Sequence, residues 1–144
     1  MVSLSAPAQA LLGSDAVAHV WTRNPDGSPQ VSVVWVVVEG DEIVFGCDRS
    51  SRKARNLERD PSMVLSIEDD IRSEQGFQRH LVVRGTARLS GPDPALMDRL
   101  AAAYTGLGRH PLALRDSPDA LVVRVSIDRI SGVGPWVDSD AGGA

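Results

Sequence analysis

Residues 29–47, Pro29-Gln-Val-Ser-Val-Val-Trp-Val-Val-Val-Glu-Gly-Asp-Glu-Ile-Val-Phe-Gly-Cys47, decide the fold class. β-Branched and aromatic residues dominate the stretch, and such side chains suit a pleated surface. Glu39-Gly40-Asp41 interrupts it with turn chemistry, so Ile43 to Cys47 reads as the returning strand of a hairpin. The run Val34 to Val38 does not alternate, which predicts that both of its faces are covered.

The pattern extends in both directions. Residues 16–22 form a strand, closed by the turn Asn24-Pro25-Asp26-Gly27, where proline presets φ and glycine accepts positive φ. Ser5 caps a short helix through Leu12, with Pro7 in its first turn and Gly13 as its stop. Ser50 to Arg59 suits a second helix, ended by Asp60-Pro61. Met63 to Glu68 is a strand, and Asp69 to Gln78 is an acidic loop. His80 to Ser90 alternates, with Leu81, Val83, Gly85, Ala87 and Leu89 on one face. Pro92 to Tyr104 is helical, with Leu96, Leu100 and Ala103 at helical spacing. Leu121 to Asp128 is the last strand. The expected fold is mainly β with short helices: a six-stranded antiparallel split β-barrel, which hides strand edges. It occupies residues 1–136 as one domain, and residues 137–144 form a mobile tail.

Bulk properties narrow the function. The chain has 144 residues, a net charge of −4 and a pI near 5.3, which argues against general binding to nucleic acid or an anionic membrane. No apolar run reaches the roughly 18 residues of a membrane span. Cys47 is the only cysteine, and the N-terminus lacks a signal-peptide pattern, so the expected compartment is the cytoplasm. No Cys/His pair has metal-ligand spacing, and no metal is expected.

One segment carries more charge than a helix start tolerates. Arg49, Arg52, Lys53, Arg55 and Arg59 cluster around the second helix, and Lys53 is the only lysine among the 15 basic residues. Ser50 or Ser51 is the N-cap. Ala54 and Leu57 face inward, and Arg49, Arg52, Lys53 and Asn56 form the outer arc. Cations at a helix N-terminus oppose its dipole, unless an anion occupies the site and takes the free N–H groups and the cations together. The alternative is a solvated basic face.

Phe45-Gly-Cys-Asp-Arg-Ser-Ser-Arg-Lys-Ala-Arg-Asn-Leu-Glu-Arg-Asp-Pro61, followed by a strand, resembles the pyridoxamine 5′-phosphate oxidase-like split β-barrel family. The resemblance continues through His80 to Leu89 and Arg124 to Ile130, over about residues 10–136. Asn24 to Pro29, Lys53 to Leu57 and Gly132-Val-Gly-Pro-Trp136 are similar to its flavin/deazaflavin oxidoreductase branch, many members of which use coenzyme F420. The resemblance implies the cofactor contacts. Val31 to Val36, and with it Ser32, Val33 and Val34, would lie along the ring. Gly46 and Cys47 would contact the cofactor, Ser51, Arg52 and Lys53 would hold its phosphate, and His80 would contact the ring. It also implies a homodimer with cofactor sites at the interface. The expected activity is hydride transfer between reduced F420, or FMN, and a small conjugated organic substrate. Solvent or Tyr104 would give the proton, and no catalytic residue is assigned. The arginine-and-histidine substrate motif of the vitamin-B6 oxidases is missing, which argues against pyridoxine phosphate as the substrate; an FMN-dependent enzyme of the oxidase-like type is the alternative. A non-catalytic protein holding FMN, F420 or a haem-derived ligand is another.

The remaining candidates have plainer readings. Cys47 reads as a small buried hydrophobe rather than a nucleophile. His19 is a packed histidine, His110 a loop histidine, and Trp21, Trp35 and Trp136 are core or interface anchors.

Overall fold

The computed structural model describes residues 2–106 and 113–137. The elements run α1 (Ala6–Leu12), β1 (Ala18–Arg23), β2 (Pro29–Val34), β3 (Val37–Glu39), β4 (Glu42–Asp48), α2 (Arg52–Arg59), β5 (Ser62–Arg72), β6 (Gln78–Ser90), α3 (Pro94–Thr105), a 3-10 turn (Ala113–Asp116) and β7 (Ala120–Val133). One antiparallel sheet contains all seven strands, in the order β2-β1-β5-β6-β7-β4-β3. His110 and residues 138–144 of the expected tail lie outside the described residues.

The sheet has seven strands rather than six because the long strand expected at 29–38 is broken. β2 ends at Val34 and β3 begins at Val37. These two strands are the opposite edges of the sheet, yet only Trp35 and Val36 separate them. Three Cα steps span at most about 11 Å. The sheet therefore curls until its edges meet at this corner, without closing a hydrogen-bonded barrel.

The core explains the patterning. Val20, Phe45, Leu65, Ile67, Leu81, Val83, Val125 and Ile127 fill the interior of the curled sheet, with Leu12 of α1 and Leu57 of α2 packed against them. A second, smaller cluster lies outside, where Leu96, Met97 and Leu100 of α3 cover Val37, Val44 and Val122. Val34 and Val36 pack into the inner core and Val37 under this outer cover, so the corner is buried from both sides. The buried stripe of α3 runs Leu96, Met97, Leu100 and Ala101, and the predicted Ala103 is exposed.

Two other expectations change. Half of the acidic loop expected at 69–78 is strand, because β5 runs to Arg72 and β6 starts at Gln78, forming a long solvated hairpin arm around Ser73–Phe77. The pairing is irregular between Glu68 and Arg72, and side chains tie the arm together: Arg79 binds Asp69 at 2.7 Å and the Gln78 amide donates to the Asp69 and Ile71 carbonyls. Asn56 is not on the outer arc of α2 but buried. Its amide donates to Thr22 Oγ1 and to Asn24 Oδ1, both at 3.0 Å, and Thr22 Oγ1 donates to Gln30 Oε1 at 2.8 Å. A buried amide needs such partners, and these tie α2 to the β1–β2 hairpin. Among the described residues no helix is long and apolar enough to cross a membrane.

Candidate functional site

β4 delivers the chain to the corner where the sheet edges meet, and α2 starts there. Asp48 organises the turn between them. Its carbonyl accepts from Ser51 Oγ at 2.7 Å, and its carboxylate accepts from Ser50 N at 2.8 Å and Ser50 Oγ at 2.5 Å. The Ser50 side-chain bond, then the Ser50 N–H, holds the Asp48 carboxyl below its usual pKa. Ser51 is the N-cap, accepting from Ala54 N at 3.3 Å. The N–H groups of Arg52 and Lys53, in the first turn, have no intrahelical acceptor. No acidic residue stands in that turn. Among the described residues no carboxylate pairs with Arg49, Arg52, Lys53 or Arg55.

A cavity of about 320 Å3 opens at this helix start. Its walls are Val33, Val34 and Trp35 on one side, Gly46, Cys47 and Asp48 on another, and Met97 and Leu100 of α3 on a third, with Ser51 and Lys53 at the end. Gly46 permits the arrangement: a Cβ there would lie 2.3 Å from Met97 Cε. Burial is the main influence on the Cys47 thiol and raises its pKa, the Lys53 charge opposing it more weakly, so the thiol stays protonated near neutral pH. Chemically the cavity is an apolar slot with a cation and unpaired N–H groups at one end. It suits a flat ring system carrying an anionic group.

Six of the nine predicted site residues meet here: Val33, Val34, Gly46, Cys47, Ser51 and Lys53. Ser32 lies one residue behind the wall. Its Oγ is the one buried side-chain polar atom among the described residues without a hydrogen-bond partner. Arg52 faces a neighbouring depression of about 430 Å3 formed with Asn24, Asp26 and Gln30. His80 is remote from both. It pairs with Val133 at one end of β7, whereas Cys47 pairs with Leu121 at the other. There the His80 carbonyl accepts from Trp136 Nε1 at 2.8 Å, and Arg79 stacks over the same indole. Among the described residues no group of three or more His, Cys, Asp or Glu side chains is placed to hold a metal ion.

Residues absent from the sequence reading of the site are Met97 and Leu100, while Trp35, within the strand expected along the ring, is a cavity wall. Tyr104 changes role. Its hydroxyl accepts from Val36 N at 2.9 Å and donates to Ala16 O at 2.8 Å. Its ring stacks on Trp35, with centroids 5.3 Å apart. Burial, the largest influence, raises the phenol's pKa. The group is thus a clip that fixes the corner between the sheet edges, not a free proton donor. Tyr104→Phe leaves a half-buried N–H and C=O unmatched, and is expected to cost about 1–3 kcal/mol in urea denaturation. No loss would mean that the clip is dispensable.

Comparisons with known proteins accord with this geometry. Residues 4–134 match the pyridoxamine 5′-phosphate oxidase family. No match was found among curated proteins. Among solved structures, one named F420 reductase is 28% identical, with a TM-score of 0.72, covering 85% of this chain and 94% of that one. A conserved hypothetical protein from Mycobacterium tuberculosis is 24% identical, with a TM-score of 0.72, covering 99% and 89%. General Stress Protein 26 from Bacillus anthracis, 16% identical with a TM-score of 0.62 over 86% and 88%, shares the fold. The chain belongs to the pyridoxamine 5′-phosphate oxidase family, a split-barrel family that binds FMN or related flavins and includes oxidoreductases.

Proposed function

We propose that the protein is an oxidoreductase that uses reduced coenzyme F420, or FMN, to reduce a small conjugated organic molecule. The observation that carries this reading is the convergence of Lys53, Ser51 and the free first-turn N–H groups on one end of an apolar slot. The structure named F420 reductase favours F420 as the first choice. When bound, the cofactor supplies the two-electron chemistry, exchanging a hydride with the substrate.

The chain's own groups have definable tasks. Lys53 and the N–H groups of Arg52 and Lys53 hold the phosphate, and Arg52 sits beside it over the neighbouring depression. Val33, Val34, Trp35 and Leu100 exclude water from the ring, which strengthens electrostatic interactions in the slot. Tyr104 is committed to the backbone and Cys47 holds its proton, so the proton that accompanies the hydride comes from solvent.

A homodimer belongs to the same reading. Val17 and Val33 on the outer face of the β1–β2 hairpin, and Ile71 and Phe77 on the long arm, are exposed apolar side chains, Phe77 at 62%. Covering this end of the sheet with a second copy would bring His80, distant from the cavity of its own chain, toward the cavity of the other. The reading puts the enzyme in the cytoplasm, in keeping with one buried cysteine.

The test is a titration with F420 and with FMN, followed by absorbance, then turnover of a panel of conjugated enones by the reduced form of whichever binds. Binding of F420 with enone reduction is the expected result. Tight binding without turnover of any substrate would favour a carrier protein, a reading supported by the lack of a free acid–base pair in the slot. Binding of neither cofactor would overturn both.

A further inference from the structure

The outer face of the sheet carries a second cavity at its other end, near the β1–β2 turn. Its volume is about 540 Å3, and Trp21, Arg23, Met63, Arg84, Asp128 and Arg129 are among its lining residues. Three features of this cavity conflict with an ordinary solvated surface. Arg84 on β6 and Arg129 on β7 are direct cross-strand partners, an unfavourable placement for like charges. Among the described residues neither has a carboxylate within ion-pair distance. The one acid at hand, Asp128, accepts a hydrogen bond from Thr86 Oγ1 at 2.8 Å instead.

The backbone is arranged to keep this placement. The β6–β7 register shifts between Arg84 and Gly85, so that Arg84 faces Arg129 while Gly85 faces Ile127. The extra residue, Asp128, is accommodated as a bulge, and Asp128 and Arg129 both emerge on the outer face. Gly85 makes the bulge possible, since a Cβ there would lie 2.4 Å from Val125 Cγ1 and 2.7 Å from Ser126 O. Across β5 from Arg84, with Val64 between them in the register, Trp21 lines the same cavity and its side chain is 42% exposed, although it sits within a strand. Arg23, at the rim, reaches Asp60 only at 3.9 Å.

Two unpaired guanidinium groups at one end of a cavity and an open indole at the other match one ligand chemistry. A carboxylate takes the forked N–H donors of arginine in bidentate fashion, and a flat ring attached to it covers the indole. The volume falls within the range of small-molecule sites. We propose that this cavity binds a planar aromatic carboxylate, with its oxygens between Arg84 and Arg129 and its ring against Trp21. The site is separate from the Lys53 slot, and its occupation does not depend on which cofactor fills that slot; Trp21 shares the outer face of β1 with Val17, so a second copy on that face is the rival occupant.

The test uses 2-naphthoate on the purified full chain, read by calorimetry and by quenching of tryptophan emission. Saturable binding is expected, weakened at least tenfold in Arg84→Ala and in Arg129→Ala, and unchanged in Lys53→Ala. Trp21→Phe is expected to remove most of the quenching while binding heat persists. The uncharged 2-naphthamide is expected not to bind. Four results would overturn the proposal: no saturable binding of 2-naphthoate; equal binding of the amide; equal competition by inorganic phosphate, which lacks the ring; or loss confined to Lys53→Ala. Sedimentation guards against the rival occupant. If Arg84→Ala dissociates a dimer and naphthoate does not bind the parent protein, the arginine pair receives a carboxylate from a second copy.

Discussion

Replacing Lys53 and Arg52 together by alanine is expected to weaken cofactor binding at least tenfold while leaving the melting temperature within a few degrees of the parent. The two side chains extend from the first turn of α2 and take no part in the core. Neither pairs with a carboxylate among the described residues, so removing them breaks no ion pair. It also relieves repulsion from the helix dipole, so the helix itself should gain slightly. Binding has the opposite sensitivity. A charge-assisted hydrogen bond contributes about 1.5–3 kcal/mol, and about 1.4 kcal/mol corresponds to tenfold in affinity. Arg52 is exposed, so most of the loss should follow Lys53, which is partly buried beside Cys47. The single variants separate the contributions: Lys53→Ala alone should account for most of the effect. Calorimetric titration with FMN and F420 measures it, and unchanged affinity in the double variant would mean that the phosphate binds elsewhere.

Gly132→Ala is expected to be the most destabilising single methyl addition in the chain, costing more than about 3 kcal/mol. Gly132 adopts φ of +113°, and a Cβ there would lie 2.2 Å from His80 O and 3.1 Å from His80 C. These are backbone atoms of the partner strand β6, and they cannot rotate away. Relief requires β6 and β7 to separate, at the point where Trp136 Nε1 donates to the same carbonyl. Left-handed backbone alone costs an ordinary residue roughly 1–2 kcal/mol, and the clash adds to it. Against a total stability of about 5–15 kcal/mol this is a large fraction. Gly27→Ala is the control. Its φ is +87°, but a Cβ there meets nothing within 4 Å, so only the conformational cost remains. Urea denaturation of the two variants should differ by at least about 2 kcal/mol. Equal losses would show that the β6–β7 contact yields without cost.

The cationic end of the slot is legible in the sequence. It rests on local chemistry: a serine cap, free N–H groups and cations at one helix start, all within a few residues. The strands with one solvated face were legible for a similar reason, since alternation in His80 to Ser90 reflects one inside and one outside. Asn56 was misjudged because a helical wheel assigns polar residues to solvent. Its partners Thr22 and Asn24 lie 34 and 32 residues away in sequence. The long arm of β5 and β6 has the sequence character of a loop because both of its faces are wet, and no periodicity marks it.

From the sequence alone followed the β-rich class, the helix caps, the turn positions and the cationic helix start, because each depends on neighbours along the chain. Only the tertiary structure decided where the long valine strand breaks. Its two halves serve opposite edges of one sheet, and the clip that holds them, Tyr104, comes from a helix 68 residues beyond Val36. It also decided that Lys53 and Arg52 look into different depressions, that α3 supplies a wall of the slot, and that His80 lies at the far end of β7. Those facts depend on how a sheet curls and which distant elements then touch, and residue spacing carries no record of such contacts.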